Sequence, residues 1–402
     1  MFHEKTLPIY EGLLLVVGKN QIGKTAFLNM LKHGNAKISG IRTMFSFMIP
    51  QDENLKKEII SDKQSYEDLL SELSGFCKEQ AEKHVPTYEA FLNGGFDQSF
   101  STQRYMMLRK LRATDLENTA IVIDEPELFM HPLMKREMVA LVKELQKKGA
   151  CVVVATNDAC VASDLLEDVQ QVVRMDKKDG KALMTQIDIS ELTGKLQEFY
   201  RQDPYLLRRF SSHKHTDTTM EKMVNEYGRN FLSSVMKPRI FDVMFSNVMV
   251  LGEGSSESVF FDYLEQELHA DWTREEHVHF MSCLGKSSMP FYFIFFGMLG
   301  IRTILMYDFD NDTNPVHVAY DKAFKAYEDA HPGMFAAFAM VPDLEHVLSI
   351  QPPYKLASME KPVNVYQHSF VSDRIYEKAE EVLDVLHQLV LDLKKKGENV
   401  HE

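Results

Sequence analysis

The segment GKNQIGKT (18–25) has the residue types and spacing of a phosphate cradle, G-x-x-x-x-G-K-[ST]. Gly18 and Gly23 let backbone N–H groups turn toward a phosphate, and Asn20 lies within the loop between them. Lys24 is placed to meet the β- and γ-phosphates of a nucleotide, and Thr25 to hold Mg²⁺. Much later, TAIVIDEPELFMHP (119–132) is an apolar run ending in two acids. Asp124 is placed to hold the same cation, through water or through Thr25. Glu125 is placed to orient or deprotonate an attacking water. On its own, DEPE reads as acids in the first turn of a helix, and both roles are compatible.

A second group of acids lies in the other half. VMVLGEGSSE (248–257) carries Glu253 between two glycines, with Glu257 four residues on. With a helix starting near Ser256, both carboxylates point into one mouth. IRTILMYDFDND (301–312) ends in Asp308 and Asp310, which share a side of a strand and so can hold a hard cation together. Oxygen-only ligands favour Mg²⁺ or Mn²⁺. Standing alone, DFDND is more often a polar turn; here it caps a buried strand.

The elements that position these residues are legible around them. GLLLVV (12–17) is a run of strand length, and AFLNML after the loop has helical spacing. PLMKREMVALVKELQKKG (132–149) is an amphipathic helix ended by Gly149, and ACVVVATND (150–158) begins a further buried strand. Strand, glycine loop and helix, repeated as alternating strands and helices, predict a parallel α/β sheet. HVHFMSCLGK (277–286) and MFAAFAMV (334–341) predict further strands. MPFYFIFFGMLGI (289–301) is too short to span a bilayer and predicts a buried helix. SDRIYEKAEEVLDVLHQLVLDLKKKG (372–397) predicts a charged amphipathic helix, for core packing or for an interface.

At 402 residues the chain is long enough for two domains, and its 45% hydrophobic and 26% charged residues suit a soluble globular protein. MFHEKTLPIY has no apolar core and does not read as a signal peptide, so no membrane association is expected. Cys77, Cys151, Cys160 and Cys283 are scattered, which fits a cytoplasmic protein without a disulfide framework. The net charge of −14 means that nucleic acid would be met by a local basic patch, such as RYMMLRKLR (104–112) or LLRRF (206–210). His213 and His215 lie in a polar stretch without further ligands and read as linker.

IVIDEPELFMHP, the helix after it and the VVVATND strand resemble the ABC-type ATPase domain of the OLD (overcoming lysogenization defect) family of nucleases. In that family a Toprim domain follows, and VMVLGEGSSE resembles its first motif. The resemblance covers about residue 10 to 370 and implies an α/β architecture: a P-loop ABC-type ATPase domain over 1–190, a helical linker or dimerisation segment over 191–244, and a Toprim domain with a C-terminal helix over 245–402. It implies ATP and Mg²⁺ or Mn²⁺ as cofactors. It implies a metal set of Glu253, Glu257, Asp308, Asp310 and Glu345, with Asp343 as a lesser candidate and Lys361 as the late active-site lysine. Gln51 matches the loop glutamine that senses Mg²⁺. Ser101 stands where the signature segment has glycine, and Asn157 where relatives carry a histidine that contacts the γ-phosphate. The implied activity is metal-dependent DNA cleavage governed by an ATP-bound homodimer or higher homo-oligomer, in defence against phage or foreign DNA. The alternative is an ATP-dependent sensor or scaffold with a vestigial Toprim unit, acting through a partner protein from the same system. A topoisomerase- or primase-like enzyme has no tyrosine-bearing cleavage domain or zinc ribbon to support it.

Overall fold

Short runs of aliphatic and β-branched residues form the strands of two separate sheets. In this computed structural model the sheets belong to two units, one of Met1–Gln186 with Phe231–Ile240, the other of Ile187–Asn230 with Phe241–Glu402. The structure describes residues 8–10, 12–19, 22–32, 41, 43–47, 105, 108–109, 111–128, 130, 132–178, 181–211, 225–226, 228–229, 231–268, 270–283, 285–309, 314–351, 356–357, 359–372 and 374–399. Of the segment 191–244, the part through Asn230 goes with the second unit and Phe231–Ile240 with the first.

The first unit contains β1 (Leu13–Gly18), α1 (Lys24–Lys32), β2 (Thr43–Phe47), β3 (Thr119–Asp124), α2 (Pro132–Lys147), β4 (Cys151–Ala155), α3 (Ala159–Leu165), β5 (Val172–Lys178) and β6 (Lys181–Gln186). Its sheet has the order β2-β3-β4-β1-β5-β6. All neighbours are parallel except β5 and β6. Every residue of β1 and of β3 is buried, as strands covered on both faces require. Leu14, Val16, Phe27, Leu28, Val122 and Val153 are members of one core between the sheet and α1. The register sets Asp124 beside Ala155 and Ala155 beside Val16. Strand β4 therefore lies between β1 and β3, and all three loops leave from the same edge of the sheet.

The second unit opens with α4 (Ile189–Arg201) and α5 (Pro204–Ser211); α6 (Ile240–Phe245) then leads into β7 (Val248–Gly252). There follow α7 (Ser255–Tyr263), α8 (Asp271–Glu275), β8 (Val278–Ser282), α9 (Met289–Met298), β9 (Arg302–Asp308), α10 (Pro315–Ala330), β10 (Phe335–Met340), α11 (Leu344–Val347), α12 (Glu360–Tyr366) and α13 (Tyr376–Asn399). The sheet is fully parallel, in the order β10-β9-β7-β8. Helix α9 is buried from Met289 to Phe296, so it is apolar on all sides because no side of it meets water. Helix α13 covers the other part of the core with Val382, Leu386, Val390 and Leu393. The strand order reverses between β7 and β9. In an open parallel sheet such a switch point leaves a crevice at the carboxyl ends of the strands.

Candidate active site

In the first unit the edge formed by β1, β4 and β3 gathers most of the residues expected to meet a nucleotide. Lys24 is buried, and its Nζ donates to the carbonyls of Gly18 at 2.7 Å and Lys19 at 3.2 Å. The ammonium is thus tied across the loop it closes. Burial pulls its pKa below the usual lysine value, against the opposing pull of Glu125, Asp124 and Glu127. Gly23 has φ +107°, a conformation that favours glycine. Thr25 Oγ1 donates to Asp124 Oδ2 at 2.8 Å, so the hydroxyl and carboxylate expected to share a cation already face each other. Asn20 and Gln51 lie outside the described residues, as do Ser101, His213 and His215.

Glu125 follows the buried Asp124 at φ +45°, an uncommon setting for a side-chain-bearing residue. Its N–H donates to the Ala155 carbonyl at 2.7 Å. Its Oε1 accepts from Asn157 Nδ2 at 2.7 Å, while the Asn157 N–H donates to Glu127 Oε1 at 3.1 Å. Two acids of DEPE are therefore held by one asparagine from the neighbouring strand. Glu127 had no assigned role in the sequence; burial raises its pKa. Its place two residues after Glu125 was the only signal. Asp158 is engaged elsewhere: it caps α3 through Val161 N–H and pairs with Lys135 at 2.5 Å.

In the second unit the carboxyl ends of β7, β9 and β10 carry the acids. Gly252 ends β7, and a Cβ there would lie 2.4 Å from Glu257 Cβ and 2.8 Å from the Phe261 ring. Only glycine lets α7 begin so close to the strand. The helix starts at Ser255, and Glu257 Oε2 folds back to accept from Gly254 N–H at 2.7 Å. Asp308 ends β9, and its Oδ1 accepts from Leu344 N–H at 3.2 Å. Asp343 caps α11 through His346 N–H, and Glu345 follows it in the first turn, buried. Lys361 reaches in from α12, with Nζ 3.5 Å from Glu345 and 3.9 Å from Asp343.

These groups feel one another's charge. Burial raises the Glu257 pKa to about 7, with Glu253 and Glu345 adding to the shift. Asp308 is raised to about 8 by burial and by Glu257 and Glu253, with Lys361 opposing. Lys361 is itself held more strongly protonated: burial works against its charge, but Glu345, Asp308 and Asp343 outweigh it. Buried Cys283 has its thiol pKa pushed up by burial and by Glu253 and Glu257. Glu253, Glu257, Asp308, Asp343 and Glu345 thus form one electrostatic cluster, and Lys361 from α12 interacts with Asp308, Asp343 and Glu345. The donor set is carboxylate oxygen, which suits a hard divalent cation, and an added positive charge would relieve the repulsion. Among the described residues no three Asp, Glu, His or Cys side chains are grouped as a finished metal shell. Asp310 lies outside the described residues.

Residues 244–310 match the family model described as overcoming lysogenization defect protein-like, TOPRIM domain. The matched span includes Glu253, Glu257 and Asp308. No curated protein matches the chain. The chain is therefore α/β, with a parallel-sheet unit bearing the P-loop motif followed by a region similar to a Toprim domain, and that similarity suggests a nuclease-type function. Among the described residues no helix is long and apolar enough to cross a membrane.

Proposed function

We propose that this protein is an ATP-binding and ATP-hydrolysing, divalent-metal-dependent DNA endonuclease of the OLD family, acting in the cytoplasm in defence against phage or foreign DNA. The observation that carries the reading is the cluster of Glu253, Glu257, Asp308, Asp343 and Glu345 at the carboxyl ends of a parallel sheet, the first three of them inside the Toprim-like region. Glu253, Glu257, Asp308, Asp310 and Glu345 are the residues that would hold Mg²⁺ or Mn²⁺. When bound, such an ion supplies positive charge to the attacking and leaving oxygens of a phosphodiester displacement. Lys361, kept protonated by its neighbours, offers a cation to a phosphate at the mouth of the site.

The nucleotide site would act as the control. Lys24 and the loop N–H groups hold the phosphates, Thr25 and Asp124 the accompanying Mg²⁺, and Glu125 takes the proton of the attacking water. Two copies would sandwich ATP between their loops, so a homodimer or higher homo-oligomer is the working form. The test is incubation of purified protein with supercoiled plasmid and Mg²⁺ or Mn²⁺, with and without ATP. Nicking that depends on the metal and changes with ATP supports the reading.

One observation favours a second reading, an ATP-dependent sensor or scaffold acting through a partner protein. Asn157, which is bonded to Glu125, stands where the OLD resemblance sets a histidine that contacts the γ-phosphate, an arrangement suited to holding ATP more than to hydrolysing it. A wild type that binds ATP but leaves plasmid intact under both metals would favour it.

A further inference from the structure

The connection between β8 and α9 touches both acid-bearing strand ends through their backbones. Cys283 N–H donates to the Gly252 carbonyl at 2.9 Å, and Gly285 N–H to the Glu253 carbonyl at 2.6 Å. One residue on, Lys286 Nζ donates to the Asp308 carbonyl at 2.7 Å. Gly285 has φ +111°, so this turn favours glycine. The connection is also held from behind. Ser288 Oγ donates to the Gly285 carbonyl at 2.8 Å, and the Tyr200 hydroxyl donates to the Ser287 carbonyl at 3.2 Å.

Lys286 is 6% exposed, and its counter-ion Asp321, 3.2 Å away on α10, is 8% exposed. The ammonium also lies 5.4 Å from the centre of the Tyr307 ring. A buried ion pair of this kind is a weak source of stability, because both ions give up water and an apolar pair of the same size often does as well. What this pair does, and an apolar pair would not, is grip the backbone of Asp308. Buried and bonded to Asp308 and Asp321, the ammonium is not presented to a substrate.

We propose that Gly285 and Lys286 form a backbone clamp that sets the separation of Glu253 and Asp308, and that Lys286, balanced by Asp321, is a positioning residue for a divalent cation between them. The inference rests on the reading that these acids hold such a cation. Gly285 fixes one side of the crevice and Lys286 the other. A rigid connection between them keeps two carboxylates from different strands at one spacing despite their repulsion.

The experiment measures Mn²⁺ binding by the full-length protein, by calorimetry and by the electron paramagnetic resonance of the bound ion. Wild type is compared with Lys286→Met and with the double variant Lys286→Met/Asp321→Leu. Lys286→Met is expected to weaken Mn²⁺ binding by about 10–100-fold, the usual range for outer-shell partners of a metal site. It also leaves Asp321 buried without its counter-ion, so its melting temperature should fall. The double variant removes both charges. It is expected to recover the melting temperature while Mn²⁺ binding stays weak and the resonance stays altered. A folded double variant that binds Mn²⁺ as the wild type does would overturn the clamp while leaving the metal reading intact. A wild type that binds no Mn²⁺ would overturn both.

Discussion

Asn157 Nδ2 donates to Glu125 Oε1 at 2.7 Å, so the residue that the OLD resemblance sets at a histidine position is bonded to the acid proposed to activate water. Strand order explains the contact. Because β4 pairs with β3, the segment after its last residue, Ala155, leaves the sheet beside the end of β3, where Glu125 begins the next loop. An asparagine can steer the carboxylate, but it cannot carry a proton as a histidine can. ATP is therefore expected to be held long and turned over slowly. In single-turnover measurements Asn157→His should hydrolyse ATP faster than wild type, by up to the factor of about 10²–10³ that one transition-state donor typically supplies. Asn157→Ala should be slower by about tenfold, with ATP affinity little changed in both. A fast wild type that neither substitution affects would remove this role.

Lys24 should dominate ground-state binding. Its Nζ closes the loop onto Gly18 and Lys19 and is the charge that a phosphate would meet. Lys24→Ala should lose a charge-assisted contact of roughly 1.5–3 kcal/mol, or about tenfold or more in ATP affinity. Calorimetric titration reads this directly, and equal affinity in the two proteins would dismiss the phosphate-loop assignment.

The acid cluster makes metal-free stability depend on pH. Asp308 rises from 3.8 to about 8 and Glu257 from 4.5 to about 7 on folding. The folded state therefore binds these protons more tightly than the unfolded chain. The stabilisation is fully present below pH about 4 and is lost as pH rises through about 7 to 8. Between pH 5.5 and 8.5 the transition of the Toprim-like unit should move to lower temperature in the presence of a chelator. Mg²⁺ should restore it at the higher pH. Asp308→Asn should flatten the pH dependence and respond less to Mg²⁺. Differential scanning calorimetry at the two pH values checks all three, and a pH-independent metal-free wild type would contradict the shifts.

Gly252→Ala should damage the second unit without removing a charged group. The new Cβ would lie 2.4 Å from Glu257 Cβ and force α7 away from β7. Overpacking of this kind costs about 1–3 kcal/mol. Urea unfolding should show a lower midpoint and metal affinity should fall with it, because Glu257 moves. A midpoint equal to wild type would mean that the helix start is looser than the structure has it.

Much of this arrangement could be read from the chain because it is local. The strand before Gly18, the glycine at position 23, and the acids ending β3, β7 and β9 are periodic or motif signals. The helix at 289–301 followed from a run too apolar to face water, and α9 ends within it at Met298. The parts that were not legible depend on which strands lie side by side. Nothing in ATND marks Asn157 as the partner of Glu125 until β4 is set between β1 and β3. Lys286 looked like the end of a strand motif. Its role depends on Asp321, 35 positions later, and on a backbone carbonyl that no side-chain pattern records. Asp343 was a minor candidate because its spacing from Asp308 gives no sign that Leu344 N–H bonds the Asp308 carboxylate.

The central claim is that the acid cluster cuts DNA while a separate site handles ATP. The most direct measurement follows supercoiled plasmid and ATP in the same reaction, with Mn²⁺ or Mg²⁺, for wild type and Asp308→Ala. Wild type is expected to convert supercoiled to nicked or linear DNA. Asp308→Ala is expected to leave the plasmid intact while hydrolysing ATP at the wild-type rate, because Asp308 and Lys24 lie in different units. A folded Asp308→Ala protein that nicks as fast as wild type would contradict the account, as would a wild type that leaves plasmid uncut with either metal.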